Sequence, residues 1–255
     1  MAKSRNTRVP AGRKAPTPNA EPQESAPERA AGNVVWEWTK SLGMGFVLFL
    51  VLRTFLIQTF TITSGSMENT LLVGDFLVLS KSAYGATIPG TGVRLPGYSH
   101  PQRGDVVVFR GHHEPIDLVK RLVGMPGDTL SMKDAVLYID GVAQDEPYVH
   151  HVDASGDGYH DWMRWQKDYL VSTVDPAEYR PTRDNWGPIV IPAARYFMMG
   201  DNRDESLDSR YWGFVDPTEI KGRAVVLYFS YDRDAFGPVP FVNHVRWKRV
   251  FDRIR

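Results

Sequence analysis

Thr63-Ser64-Gly65-Ser66-Met67 divides the chain into an apolar run before it and a strand-rich body after it. Two hydroxyls flank a glycine, whose missing Cβ opens backbone conformations that other residues resist. Small residues behind an apolar run have several readings. They form turns, they mark the cleavage site of a secretory signal, and they can seat a nucleophilic serine, here Ser66, at a membrane surface. The sequence on either side separates these readings.

Upstream, Arg53 is the only charged residue between Ser41 and Ser64, and the centre of the run is Phe46-Val47-Leu48-Phe49-Leu50-Val51-Leu52. A run of this length can cross a bilayer. Arg53, near its far end, can keep its guanidinium at the interface on an aliphatic stem. This reading places a transmembrane helix over residues 38–58. A buried core helix is the alternative. A cleaved signal peptide fits poorly, because the stretch of about 40 residues ahead of the run is far longer than a signal's n-region. The first 32 residues hold five Pro and six Lys/Arg against three Glu, with little to bury. They read as part of a disordered cytoplasmic tail, residues 1–37. Lys and Arg lie upstream of the run, and none follows Arg53 until Lys81. That bias puts the N-terminus inside and the remaining domain outside.

Lys plus Arg equals Asp plus Glu at 30 each, so no global field favours nucleic acid, and no nucleic-acid partner is expected. The chain has no cysteine, which excludes disulfides, zinc thiolates and cysteine nucleophiles.

Downstream, Asp75-Phe76-Leu77-Val78-Leu79-Ser80-Lys81 reads as a buried strand. A Gly- and Pro-rich loop follows over 84–104. Further strands are expected at 106–109, 117–123, 136–139, 189–191, 195–199 and 224–231, with Asp140-Gly141 as a hairpin turn. Residues 144–188 are rich in Asp, Tyr, Trp and His and lack clear periodicity, so they read as an inserted smaller subdomain. The fold class is therefore mainly β: an N-terminal transmembrane helix, then an antiparallel sheet domain over 59–143 and 189–255 that holds the insertion. Residues 245–254 space Val, Trp, Phe and Ile at helical intervals, which predicts a terminal helix.

Four stretches form one pattern. They are Ser64-Gly65-Ser66-Met67, then Arg103-Gly104-Asp105-Val106-Val107-Val108-Phe109, then Lys120-Arg121-Leu122-Val123-Gly124-Met125-Pro126-Gly127-Asp128, and last Gly200-Asp201-Asn202-Arg203-Asp204-Glu205-Ser206-Leu207-Asp208-Ser209-Arg210-Tyr211-Trp212-Gly213. In this order behind an anchor, they resemble bacterial type I signal peptidase (leader peptidase), over about residues 41 to 231, the insertion matching weakly. Two departures stand beside the serine: Thr63 replaces the family's usual proline, and Glu68-Asn69 replaces its frequent Met-Pro.

The residues also make chemical sense by themselves. A serine hydroxyl needs a base. None of the seven histidines falls in the four stretches. A lysine serves if burial keeps its amine neutral, and Lys120 has Leu118, Val119, Leu122 and Val123 around it. Taken alone, an exposed strand lysine remains the competing reading. The resemblance implies Ser66 as nucleophile and Lys120 as general base. It implies that Ser64 joins the Ser66 N–H in holding the oxyanion and that Ser206 orients the amine. Asp208 with Arg210, and Asp201 with Arg121, are then supporting ion pairs, and Met198 lines the wall around Lys120.

The implied activity is serine endopeptidase cleavage of signal peptides from exported preproteins, after small residues, with no cofactor and no metal. The implied partners are signal peptides and the lipid bilayer. The implied setting is the plasma (inner) membrane, with one span and a monomeric enzyme. Three rival readings stay open. One is a metal site on His112, His113, His150, His151, Asp153 and His160. Another is a non-catalytic anchored domain that binds exported chains. The third is a serine–lysine hydrolase with a different substrate, such as a self-cleaving regulator.

Overall fold

The computed structural model describes residues 29–88, 90–111, 115–153, 158–235 and 240–255, without the side chains of 29–33 and 240. Most of the expected tail and the pair His112 and His113 lie outside the described residues. The chain separates into two units, one ending at Phe46 and the other running over Val47–Arg255.

Helix α1 spans Arg29–Val51 and passes into a π turn over Leu52–Leu56. The stretch Val34–Leu56 is long and apolar enough to cross a membrane, and none of it is buried in the protein. The sequence expectation carried this helix to residue 58. The structure instead starts strand β1, Ile57–Thr61, at Ile57. The reason is the change from a continuous apolar run to alternation: Ile57, Thr59 and Thr61 are exposed while Gln58 and Phe60 are half-buried. β1 is then fixed by pairing with β2, Asp75–Ser80, from Ile57↔Ser80 to Thr61↔Phe76.

The larger sheet also contains β3 (Val106–Arg110), β4 (Asp117–Gly124), β9 (Phe197–Met199) and β10 (Ile220–Ser230). Its order is β1-β2-β10-β3-β4-β9, and every neighbouring pair is antiparallel. The second sheet has the order β7-β6-β5-β8, built from β5 (Thr129–Lys133), β6 (Val136–Ile139), β7 (Val142–Ala143) and β8 (Trp186–Val190). Asp140 and Gly141 take positive φ in the β6–β7 hairpin, as a two-residue Asp-Gly turn requires. Between β7 and β8 the most regular element is a 3-10 helix, Asp161–Tyr169, which sets Met163 into the second sheet's core beside Leu130, Ile189 and Phe197.

The C-terminal segment departs from its helical spacing. It forms one 3-10 turn, Trp247–Arg249, and then runs extended against β10. β3 pairs with β10 only from Ile220 to Arg223, which leaves the backbone groups on that edge of β10 beyond Arg223 without a strand partner. Residues 251–254 supply one, with Phe251 N–H donating to Leu227 O and Ile254 N–H donating to Val225 O.

Candidate active site

The Ser66 turn is pinned from below. Gly65–Met67 is a 3-10 turn, and Met67 and Leu71 are buried in the core with Ile62, Leu77 and Val106. The N–H groups of Thr70 and Leu71 both donate to Met67 O. This leaves Ser64 exposed and Ser66 at the surface edge, 9% exposed, with the two hydroxyl oxygens 3.4 Å apart. The turn is held from the side by Asn202, whose N–H donates to Ser66 O at 3.2 Å and whose Nδ2 donates to Gly65 O at 3.3 Å.

Asn69 explains one departure from the family pattern. Its φ is +85°, which a proline ring, fixed near −65°, cannot adopt. Its Nδ2 donates to Tyr148 O at 3.1 Å, and the Tyr148 ring in turn covers the Arg121 guanidinium at 3.9 Å.

Lys120 lies in β4 directly opposite Val107 of β3. Leu122, two residues on and therefore on the same face, lies opposite Met198 of β9. Val107, Leu122 and Met198 are fully buried in one cluster with Phe109 and Val215. Lys120 is only 3% exposed. Burial lowers its amine from 10.5 to about 8; the charges of Asp208 and Asp201 oppose the fall, and that of Arg210 adds to it. β4 packs against the Gly65–Met67 turn. The Ser66 hydroxyl lies against Ser64 rather than in a hydrogen bond with Lys120.

The loop after β9 closes the site. A Cβ built on Gly200 would lie 2.2 Å from Ser206 Oγ and 2.4 Å from Ser66 O, so only glycine lets these two groups converge there. Ser206 Oγ is buried and, among the described residues, has no hydrogen-bond partner. Asp208 sets the loop's return: it accepts from Gly200 N–H and caps the short helix α2, Ser209–Trp212, by accepting from Arg210 N–H. Arg210 grips both carboxylate oxygens of Asp208 at 2.9 Å and donates to Arg203 O. Burial alone would raise the Asp208 carboxyl, but Arg210, Lys120 and the Gly200 N–H hold it below the usual carboxylate range.

The second pair, Arg121 and Asp201, is also buried, at 2.6 Å. Thr70 joins it by donating to Asp201 and accepting from Arg121. Arg249 of the C-terminal turn donates to Thr70 O and to Asp75, tying that loop and the start of β2 to the C-terminal segment. Thr70, Asn202, Tyr148 and Arg249 were not singled out by the sequence reading. Their roles depend on contacts between distant segments, which no local spacing announces.

The described members of the histidine cluster do not assemble into a metal site. His151 Nδ1 lies 3.0 Å from Asp204, and His160 caps the 3-10 helix by accepting from Trp162 N–H. Among the described residues no group of three or more His, Asp or Glu is placed to hold a metal.

The sequence pattern of the family described as "Signal peptidase, peptidase S26" matches residues 35–229. The chain belongs to this family. Signal peptidase I of Pseudomonas aeruginosa is 37% identical over 224 residues, covering 82% of this chain and 78% of that protein. Signal peptidase I of Bacillus licheniformis is 32% identical over 201 residues, covering 78% of this chain and 91% of its own length. A crystal structure of a signal peptidase I from Enterococcus faecalis aligns with 31% identity and a TM-score of 0.33, over 49% of this chain and 97% of that one. Family membership makes this chain a serine-type peptidase that removes signal peptides.

Proposed function

We propose that Ser66 and Lys120 are the catalytic pair and that the chain cleaves preproteins at the outer face of the plasma (inner) membrane. Neutral Lys120 takes the proton from Ser66 as Oγ attacks the scissile carbonyl carbon. The Ser66 N–H and the Ser64 hydroxyl hold the oxyanion that forms. Lys120 passes its proton to the leaving amine of the mature protein. It then deprotonates the water that attacks the acyl carbon and returns that proton to Ser66 Oγ as the ester bond breaks, which restores Ser66 and releases the carboxylic end of the signal peptide. No cofactor or metal enters this cycle.

The observation that carries the reading is the placement of Lys120: its amine is desolvated among apolar side chains, its pKa is lowered to about 8, and its strand packs on the turn bearing Ser66. Ser206, whose buried hydroxyl has no partner among the described residues, is the group that holds the amine toward Ser66. Met198 supplies part of the apolar wall, while Asp208–Arg210 and Arg121–Asp201 fix the two segments that meet there. Residues 59–143 and 189–255 then act as the catalytic domain and 144–188 as an insertion upon it. The apolar segment ending at Leu56 acts as a single-span anchor in the bilayer, with the N-terminus cytoplasmic. It raises the effective concentration of a substrate that is also membrane-held, so a monomer suffices.

A preprotein cleavage assay in vesicles tests this. Ser66→Ala and Lys120→Ala are each expected to be inactive with an unchanged far-UV spectrum; near-full activity in either rejects the pair.

A further inference from the structure

At the end of the larger sheet nearest the apolar segment, two cations, Arg53 and Lys81, have no acidic partner among the described residues. Lys81 follows β2 directly and is held against the π turn: its N–H donates to Leu56 O at 2.9 Å and its Nζ to Thr54 O at 3.3 Å. Thr54 is the neighbour of Arg53, which is exposed. Among the described residues, neither Arg53 nor Lys81 forms an ion pair. Lys221, whose charge also acts on Lys81, is itself paired with Asp117 at 2.6 Å. Burial, then the charges of Lys221 and Arg53, lower the Lys81 amine. Tyr98, 70% exposed, reaches back to Ser80 Oγ at 3.3 Å and places an aromatic ring at the same level.

We propose that Arg53 and Lys81 bind the phosphate of an anionic phospholipid, with exposed Leu52 and Leu56 lying along its acyl chains. The proposal rests on the reading that the segment ending at Leu56 crosses a bilayer. Continuity with that apolar surface selects a lipid over a free phosphate ion: the two cations stand where the hydrocarbon layer would give way to headgroups. The lipid phosphate would supply the counter-charge that the protein withholds from Lys81.

The test uses the full chain in phosphatidylcholine vesicles, with the preference for spin-labelled phosphatidylglycerol over spin-labelled phosphatidylcholine read by electron paramagnetic resonance. Each interfacial cation contributes roughly fivefold, so the pair contributes about 25-fold, and each of Arg53→Gln and Lys81→Gln loses about fivefold. Arg53→Lys keeps the preference. An unchanged preference in the double variant R53Q/K81Q overturns the site, as does its abolition by inorganic phosphate at constant ionic strength. A wild-type chain that co-floats with vesicles yet shows no preference sinks the lipid site alone. A chain that fails to co-float sinks the membrane reading with it.

Discussion

Replacing Lys120 with methionine removes an amine from a place where burial has lowered its pKa from 10.5 to about 8. Below the folded-state pKa the amine is charged in both states, and the folded protein bears the whole cost of burying that charge. A fall of about two and a half pKa units, at about 1.4 kcal/mol each, makes this cost ~3 kcal/mol at pH 7. Between about pH 8 and 10.5 the unfolded chain binds the proton that the folded protein has released, so wild-type stability rises with pH across that window. Lys120→Met keeps an unbranched side chain out to the Cε position and carries no charge, so it lacks this dependence. Denaturant unfolding in detergent should find the variant's advantage over wild type about 3 kcal/mol larger at pH 7 than at pH 10.5. Any difference in packing between the two side chains is the same at every pH and cancels in that comparison. A difference between the two proteins that stays flat from pH 7 to 10.5 would refute the claim that folding desolvates this amine.

Other outcomes follow from the same geometry. Ser64→Ala removes the proposed oxyanion donor and should lower kcat for preprotein cleavage by roughly 100- to 1,000-fold, leaving KM little changed, as measured by initial rates in vesicles. Gly200→Ala drives a methyl group into Ser206 Oγ and Ser66 O, at 2.2 and 2.4 Å, so the Ser66 turn must move. It should abolish cleavage and destabilise the protein by about 1–3 kcal/mol in the same unfolding assay.

Much of this architecture was legible in the sequence. The four stretches that resemble the family contain Ser64, Ser66, Lys120, Ser206 and Asp208, and hydrophobic patterning located the strands that carry or flank them. Patterning failed where tertiary pairing overrode it. The apolar run does not stay helical to residue 58, because Ile57 begins a strand that β2 completes. Residues 245–254 have helical spacing, yet the backbone of β10 past Arg223 lies open to them, so they pair there instead. β5 was also missed, since Thr129–Lys133 holds only Leu130 and Met132 as apolar residues and takes its identity from β6 and β8 on either side. The site's supporting contacts were the least legible. Thr70 and Arg121 are 51 positions apart, Asn69 and Tyr148 are 79, and Arg249 and Asp75 are 174, so only the folded sheet brings them together.

Lys120 must be uncharged to take the Ser66 proton, and a carbon-13 titration of the lysine side chains reads its charge. Comparing wild type with Lys120→Met assigns the Cε resonance of Lys120. Its midpoint should lie near pH 8 and coincide with the acidic limb of kcat/KM, which should itself rise about tenfold between pH 7 and 9. A midpoint near the ordinary 10.5, with activity already at its plateau at pH 7, would contradict a neutral Lys120 as the base.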